Sequence, residues 1–109
     1  MADTMAGAMM ESTGLPPYIY LTNNARRVSF NSAVFARNLL ANRLYQCPVL
    51  YLEPYVMNDA LTYKRLLLPH YIGHTLVDGQ MVTSPLEDYA RGVLKGLVSY
   101  YKQARTPAH

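Results

Sequence analysis

The sequence predicts a small single α+β domain with two to three helices, a short antiparallel β-hairpin or sheet, and an extended N-terminal arm. Three observations predict this class. The turn-forming pair Asp78-Gly79 separates two short runs of strand-forming residues. A capped amphipathic helix follows at once, and a second run at helical spacing covers Ser32–Gln46. The length of 109 residues allows one domain with a modest core.

The chain is predicted to divide into an arm, a domain and a tail. Residues 1–17 are rich in Ala, Met, Gly and Ser and end in two prolines. This composition is typical of a flexible arm, or of an arm that a partner orders. The α+β domain is expected over residues 18–105, and residues 106–109 are expected to form a tail.

The first half of the domain is predicted to hold a strand, a helix and a second extended run. Tyr18–Thr22 is rich in β-forming residues and is predicted as a short strand. The helix over Ser32–Gln46 has Asn31 or Ser29 as its candidate N-cap, and a proline shortly after its end stops it. Val49–Leu52 is predicted as a short buried strand or extended run.

A short helix and the hairpin are predicted next. The helix is expected from Asp59, with Asn58 as its cap, through Tyr63 or slightly beyond, and the three leucines before Pro69 fit a strand equally well. His74–Val77 and Gln80–Thr83 then form the two strands of the hairpin, because glycine accepts the positive φ that a two-residue turn needs.

The final helix is predicted over about Pro85–Gln103. Ser84 is a candidate N-cap, and Glu87 can close a capping box with it. Gly92 and Gly96 lie four residues apart inside this helix, where each costs about 1 kcal/mol relative to alanine. The pair therefore predicts either close packing on that face of a soluble helix or an irregular helix.

Composition indicates that a partner covers part of the surface. Charged residues make up 16% of the chain, below the ~25% usual for a soluble domain. The ten tyrosines carry large apolar rings with a polar tip, which suits half-buried interfaces. The alternative is that these tyrosines line the edge of a core.

No catalytic residue, metal ligand, cofactor or small-molecule substrate is predicted, and the chain is not predicted to be an enzyme. Cys47 is the only cysteine, which excludes an intrachain disulfide and favours a buried, inert thiol. His70 and His74 are four residues apart, but Pro69 and Gly73 disfavour a shared helix and no third ligand is placed.

The sequence predicts an intracellular protein without a membrane span. No apolar run approaches the ~20 residues that cross a bilayer, and the N-terminus lacks the basic region and apolar core of a signal peptide. The arginines of a transit peptide are also missing, so mitochondrial import would need an unusual signal or a presequence that has been removed.

Basic side chains are the candidate contacts to an anionic partner. The net charge is +3, because seven arginines and three lysines outnumber seven acidic residues. The planar guanidinium group of arginine suits contacts to phosphate. The alternative is an ordinary solvated basic surface. The candidate contacts to phosphate, which would be contacts to RNA if RNA is the partner, are Arg26, Arg27, Lys64, Arg65, His70, His74, Lys95, Lys102 and Arg105.

The run KRLLLPHYIGHTLVDGQ, residues 64–80, resembles the core of small-subunit ribosomal protein nineteen of the bacterial and organellar type. That family has a basic strand, a proline, an apolar-Gly-x-Thr step and a hairpin closed by Asn-Gly, followed by a helix with two glycines four apart, similar to Gly92 and Gly96. The hairpin arm here is two residues shorter, and the basic tail of the family is missing. The matching positions are Arg65, Pro69, Ile72, Gly73, Thr75, Leu76 and Gly79, with Asp78 where the family has asparagine.

The resemblance implies a non-catalytic structural subunit of a ribonucleoprotein. It would be a divergent mitochondrial ribosomal small-subunit protein that contacts rRNA and, through protein-protein interaction, its neighbours. The alternative is an accessory subunit of a protein-only complex, of the respiratory chain or of the cytoskeleton or axoneme, with no RNA contact. The sequence alone leaves both assemblies open.

Overall fold

The structure is a computed structural model that describes residues 1–21, 23–31, 33–55 and 59–105. The predicted α+β class is confirmed, with four helices and two small antiparallel sheets in these residues. None of the helices in the described ranges has the length and hydropathy needed to cross a membrane. The elements are α1 (Ala2–Thr13), β1 (Arg26–Arg27), β2 (Phe35–Ala36), α2 (Leu40–Leu44), α3 (Ala60–Leu67), β3 (His74–Val77), β4 (Gln80–Thr83) and α4 (Pro85–Arg105).

The N-terminal segment contains a helix, and the predicted extended arm is wrong. α1 buries Met5, Ala8 and Met9, and it packs along α4 over most of its length. The helix ends at Gly14, whose left-handed backbone (φ 68°) lets its N–H donate to the carbonyl of Met10. The local composition does not indicate this helix, because much of its stability comes from burial against a helix at the other end of the chain.

Gly92 and Gly96 make the close approach of α1 and α4 possible. A Cβ atom on Gly92 would lie 2.6 Å from Met9 Sδ and 3.2 Å from Met9 Cα. A Cβ atom on Gly96 would lie 2.6 Å from Met5 Sδ and 3.0 Å from Met5 Cα. A side chain at either glycine would therefore press on the backbone of α1. The predicted close packing at this glycine pair is confirmed, and it explains why α4 keeps two residues that weaken an isolated helix.

The hairpin is confirmed in the predicted register. His74 pairs with Thr83 and Val77 with Gln80, so that Asp78 and Gly79 form the turn. Both turn residues have positive φ, 50° for Asp78 and 80° for Gly79, as a two-residue hairpin turn requires. The buried side chains of the hairpin are Val77 and Val82.

The first half of the domain differs most from its prediction. Helix appears only at Leu40–Leu44, because Phe35–Ala36 pairs with β1 instead. Ser29 and Asn31, the candidate N-caps, close the turn between β1 and β2. The N–H of Asn31 donates to Ser29 Oγ (3.1 Å), and that of Ala33 donates to Asn31 Oδ1 (3.0 Å). Side-chain acceptors of this kind favour turns as readily as helix starts.

Two other runs of the first half form no strand. The strand predicted at Tyr18–Thr22 is absent from Tyr18–Leu21, and Val49–Leu52 is neither paired nor buried, which leaves only the predicted alternative of an extended run. Thr22 and Ser32 lie outside the described residues. Cys47 is exposed rather than buried, because the run after it is not an inner strand.

The helix predicted through Tyr63 or slightly beyond is α3, which ends at Leu67, so Leu66 and Leu67 are helical rather than part of a strand. Its N-cap is Asp59, which accepts from the N–H of Thr62 at 2.7 Å, and the proposed cap Asn58 lies outside the described residues. The hydrogen bond from Thr62 lowers the pKa of Asp59. Glu87, the predicted capping-box residue of α4, accepts instead from the N–H of Gly73 at 3.4 Å.

Candidate functional site

The nine predicted RNA contacts do not form one surface. Lys64 pairs with Asp78 beside the hairpin turn, and Lys95 pairs with Glu11 across α1 and α4. Both pairs are exposed, so each contributes little to the stability of the fold. Each pair nevertheless neutralises the charge of its lysine. His70 and His74 are exposed, and no group of three metal-ligating side chains occurs in the residues that the structure describes.

Arg65 lies inside the fold rather than on its surface. Its Nη2 atom is 2.9 Å from Asp88 Oδ2 and 2.9 Å from the carbonyl oxygen of Thr83. The side chains of Arg65 and Asp88 are only 8% and 2% exposed. The hydroxyl of Thr83 also donates to Asp88 Oδ2, at 2.5 Å. This group of contacts joins α3, β4 and α4, and Arg65 is not available to a phosphate.

Two tyrosines complete the buried cluster. Tyr71 donates its hydroxyl to the carbonyl of Thr83 (2.8 Å), and Tyr55 donates to the carbonyl of Pro85 (2.7 Å). Burial, with the charge of Asp88 as the next cause, raises the pKa of Tyr55 to about 12. The Arg65–Asp88 cluster, defined as Tyr55, Arg65, Tyr71, Thr83 and Asp88, thus fixes the hairpin and the start of α4 against α3.

Stability is expected to fall as the pH rises from about 10 to about 12, partly through Tyr55. Below pH 10 its hydroxyl is protonated in both states. Between these values the unfolded chain releases the proton while the folded chain keeps it, so rising pH favours unfolding. Tyr55→Phe should flatten the decline of Tm over this range, whereas the exposed Tyr63→Phe should leave it unchanged. Thermal scans at a series of pH values test this, and equal slopes for wild type and Tyr55→Phe would contradict it.

The two arginines of β1 are exposed on the small β1–β2 sheet. Arg27 donates from Nε to the carbonyl of Ser29 (3.1 Å) and from Nη2 to that of Phe30 (3.0 Å). The Arg27 side chain therefore stabilises the turn while its charge remains exposed to solvent. Arg26 makes no ion pair with any carboxylate in the described parts of the chain. Lys102 and Arg105 are exposed in the last turn of α4.

Sequence reasoning missed the surroundings of these arginines. Two shallow depressions meet at Arg26 and Ala36. Phe30 lines one of them, and its side chain is fully exposed. The sequence RRVSF places an aromatic residue three positions after the arginine pair, and this spacing is the sequence signal that indicates Phe30 as a neighbour of the arginines. We call the lining polar and aromatic side chains the ribbon surface: Asn23, Asn24, Arg26, Arg27, Phe30, Arg37 and Asn38.

α4 also presents an uncovered apolar stripe. Leu94, Leu97, Val98 and Tyr101 are three or four residues apart, so they lie on one side of the helix. All four are exposed, whereas Gly92 and Gly96 are buried on the opposite side against α1. The helix is therefore apolar on two faces, and among the described residues only the glycine face is covered, by α1.

Comparison of the chain with protein-family models, with curated proteins and with solved structures gave no match. The functional assignment therefore rests on the geometry described above and on the local resemblance of residues 64–80.

Proposed function

We propose that the chain is a non-catalytic structural subunit of a large assembly. The observation that carries this proposal is the extent of its uncovered surface. The chain exposes 8236 Å², about a third more than the ~6,100 Å² that size scaling gives for a folded monomer of this mass. Its radius of gyration is 15.9 Å, against ~13 Å for a compact domain of this length. Such a shape suits a chain that buries its surface against neighbours.

The exposed residues are apolar in several separate places. Leu21 is 93% exposed and Ile72 is 83% exposed. The uncovered stripe of α4 adds Leu94, Leu97 and Tyr101. Large contiguous apolar patches on a soluble chain mark sites of protein interaction. A subunit within an assembly contacts its neighbours on several sides, so apolar residues exposed in several places fit this role.

We propose further that the assembly is the small subunit of the mitochondrial ribosome, where the chain contacts rRNA and neighbouring proteins. The resemblance of residues 64–80 supports this assignment. The charge distribution supports an anionic partner as well. Each of the seven carboxylates in the sequence accepts an ion pair or hydrogen bond from the chain itself. Arg26, Arg43 and Arg105 have no carboxylate partner among the described residues, which leaves them for an external anion.

A second candidate function is an accessory subunit of a protein-only complex, of the respiratory chain or of the cytoskeleton or axoneme. One specific observation favours it. Lys64, Arg65 and Lys95 are each paired with a carboxylate of the chain, which reduces the set of cations that remain for RNA. The exposed apolar surface serves a protein-only partner equally well.

The two candidates are separated by the particles with which the chain sediments. The tagged chain should migrate with the small ribosomal subunit in a sucrose gradient of a mitochondrial lysate, and RNase should release it. Migration with an RNase-resistant complex would favour the protein-only candidate. The charge-reversing variant Arg26→Glu/Arg105→Glu should weaken the association, since both residues are exposed. Reversal of Arg65 would instead test the fold, because that residue is buried.

A further inference from the structure

We infer that Phe30 and Arg26 form a binding site for an unpaired RNA strand, in which Phe30 stacks on a base and Arg26 contacts a phosphate. This inference deepens the proposed contact with rRNA and rests on it. It names the element that makes the contact and the form of RNA that the element accepts. The argument starts from how the turn between β1 and β2 is held.

The turn that carries Phe30 is fixed by its own hydrogen bonds. The guanidinium of Arg27 donates to the carbonyls of Ser29 and Phe30. The hydroxyl of Ser29 accepts from the N–H of Asn31 and donates to Asp3, which ties the turn to α1. The N–H of Val28 donates to the carbonyl of Val34 at 3.3 Å across the base of the turn. A side chain on such a turn loses little conformational freedom when it binds a partner.

Phe30 itself has no role inside the fold. Its side chain is 101% exposed, so it contributes nothing to the core. The aromatic contacts nearby are made by Tyr18, Tyr20 and Phe35, whose rings meet edge to face. A rigid turn that presents a wholly exposed aromatic ring is arranged for contact with a partner, because both faces of the ring are open.

The chemistry around Phe30 matches nucleic acid. The ribbon surface carries guanidinium and amide groups and one aromatic ring, and none of the described residues that line the two depressions is a carboxylate. The other lining residues are Val28, Ser29, Ala36 and Leu39. Two carboxylates lie close by, but both are engaged. Asp3 accepts from Ser29, and Glu53 accepts from Tyr20 and pairs with Arg37 at 3.7 Å. Among the described residues, Arg26 and Arg27 form no ion pair with a carboxylate. The amides of Asn23 and Asn38 can bond base edges or sugar hydroxyls.

These features favour an unpaired strand over both a duplex and an apolar protein pocket. Bases can stack on an aromatic side chain only when they are splayed out of a helix. Stacking on an aromatic ring beside a cationic groove is how proteins hold single strands without a sequence preference. The depression beside Phe30 also holds the aliphatic residues Val28 and Ala36, but the guanidinium groups of Arg26 and Arg27 next to the ring favour an anionic partner over an apolar pocket.

The test is the binding of a fluorescently labelled single-stranded RNA of about 12 nucleotides to the purified full chain, followed by anisotropy. Phe30→Ala should weaken binding by about 5- to 100-fold, the usual effect of removing one stacked base. Phe30→Leu should weaken it nearly as much, because leucine is apolar but has no π face. Phe30→Trp should retain the affinity. Arg26→Gln should weaken binding and reduce its dependence on salt by roughly one phosphate contact.

Leu21→Ala is the matched control, since Leu21 is a similarly exposed apolar residue that lines neither depression. It should leave RNA binding unchanged. The melting temperature of every variant should match that of the wild type, because the substituted side chains are exposed. RNA affinity that is unchanged in Phe30→Ala, or retained in Phe30→Leu, overturns the inference. Failure of the wild-type chain to bind the single strand also overturns it.

The failure of this inference differs from the failure of the proposed function. If the wild-type chain sediments with RNase-sensitive particles but Phe30→Ala does so equally well, the ribosomal proposal stands and the Phe30 site does not. If the chain binds the RNA strand through Phe30 but sediments with no ribosomal particle, the site stands and the ribosomal proposal fails. If Phe30→Leu retains an RNase-resistant association that Phe30→Ala loses, Phe30 occupies an apolar protein pocket and the RNA site is wrong.

Discussion

Asp88→Ala is expected to destabilise the fold by about 3–5 kcal/mol, because it leaves the charge of Arg65 buried without a carboxylate partner. Asp88 is 1% exposed, and one of its oxygens accepts from both Arg65 and Thr83. A loss of this size is comparable to the whole stability of a small domain. Urea unfolding followed by far-UV circular dichroism measures it, and a loss below about 1 kcal/mol would contradict the role of the pair.

The double variant Arg65→Met/Asp88→Ala provides the control for this prediction. It removes both charges together, and loss of both charges is far less costly in a buried pair than loss of one. We expect it to recover most of the stability that Asp88→Ala loses. Arg65→Met, Asp88→Ala and the double variant form a cycle that isolates the interaction between the two side chains. A double variant as unstable as Asp88→Ala would show that the loss comes from packing rather than from the unpaired charge.

Gly92→Val/Gly96→Val is expected to separate α1 from α4 and to cost about 2–6 kcal/mol, since overpacking costs about 1–3 kcal/mol at each site. The new side chains would meet the Cα atoms of Met9 and Met5 as well as their flexible sulfur atoms. The sulfur atoms can move aside, but the backbone of α1 can yield only by moving as a whole. Hydrogen exchange should show lost protection throughout α1, together with a lower urea midpoint.

Gly7→Ala is the matched control within the same helix pair. A Cβ atom on Gly7 meets nothing within 4 Å. The substitution should therefore stabilise α1 by up to about 1 kcal/mol, the difference in helix propensity between glycine and alanine. Continued protection of α1 in Gly92→Val/Gly96→Val would mean that the two helices do not depend on this close approach.

The elements that the sequence predicts correctly are those whose signals are local. The Asp78-Gly79 turn specifies its own hairpin, and the amphipathic run that begins at Pro85 specifies α4. α1 could not be found in this way, because the contacts that hold it come from Gly92 and Gly96. The helix predicted over Ser32–Gln46 is correct only at Leu40–Leu44 for a related reason, since its apolar spacing does not reveal that Phe35 pairs with β1.

The candidate site was predicted in part. The sequence predicts Arg26 and Arg27 as contacts to an anionic partner, but it does not single out Phe30. The sequence predicts Arg65 as a contact to an external anion, because the charge of a residue does not show whether a buried carboxylate pairs with it. Its partner Asp88 lies 23 residues away along the chain, beyond the reach of any local pattern.

The contact between α1 and α4 has a consequence for the order of folding. Met5 and Met9 are synthesised early, yet the glycines that receive them belong to the last helix described. The contact closes a loop that spans most of the chain, and closing a long loop costs conformational entropy. We therefore expect the loop to close only after the hairpin and α4 have formed. We expect α1 to dock last during folding and to detach first during unfolding. Until α4 is complete, a nascent chain exposes the methionines of α1, and chaperones are expected to bind it there.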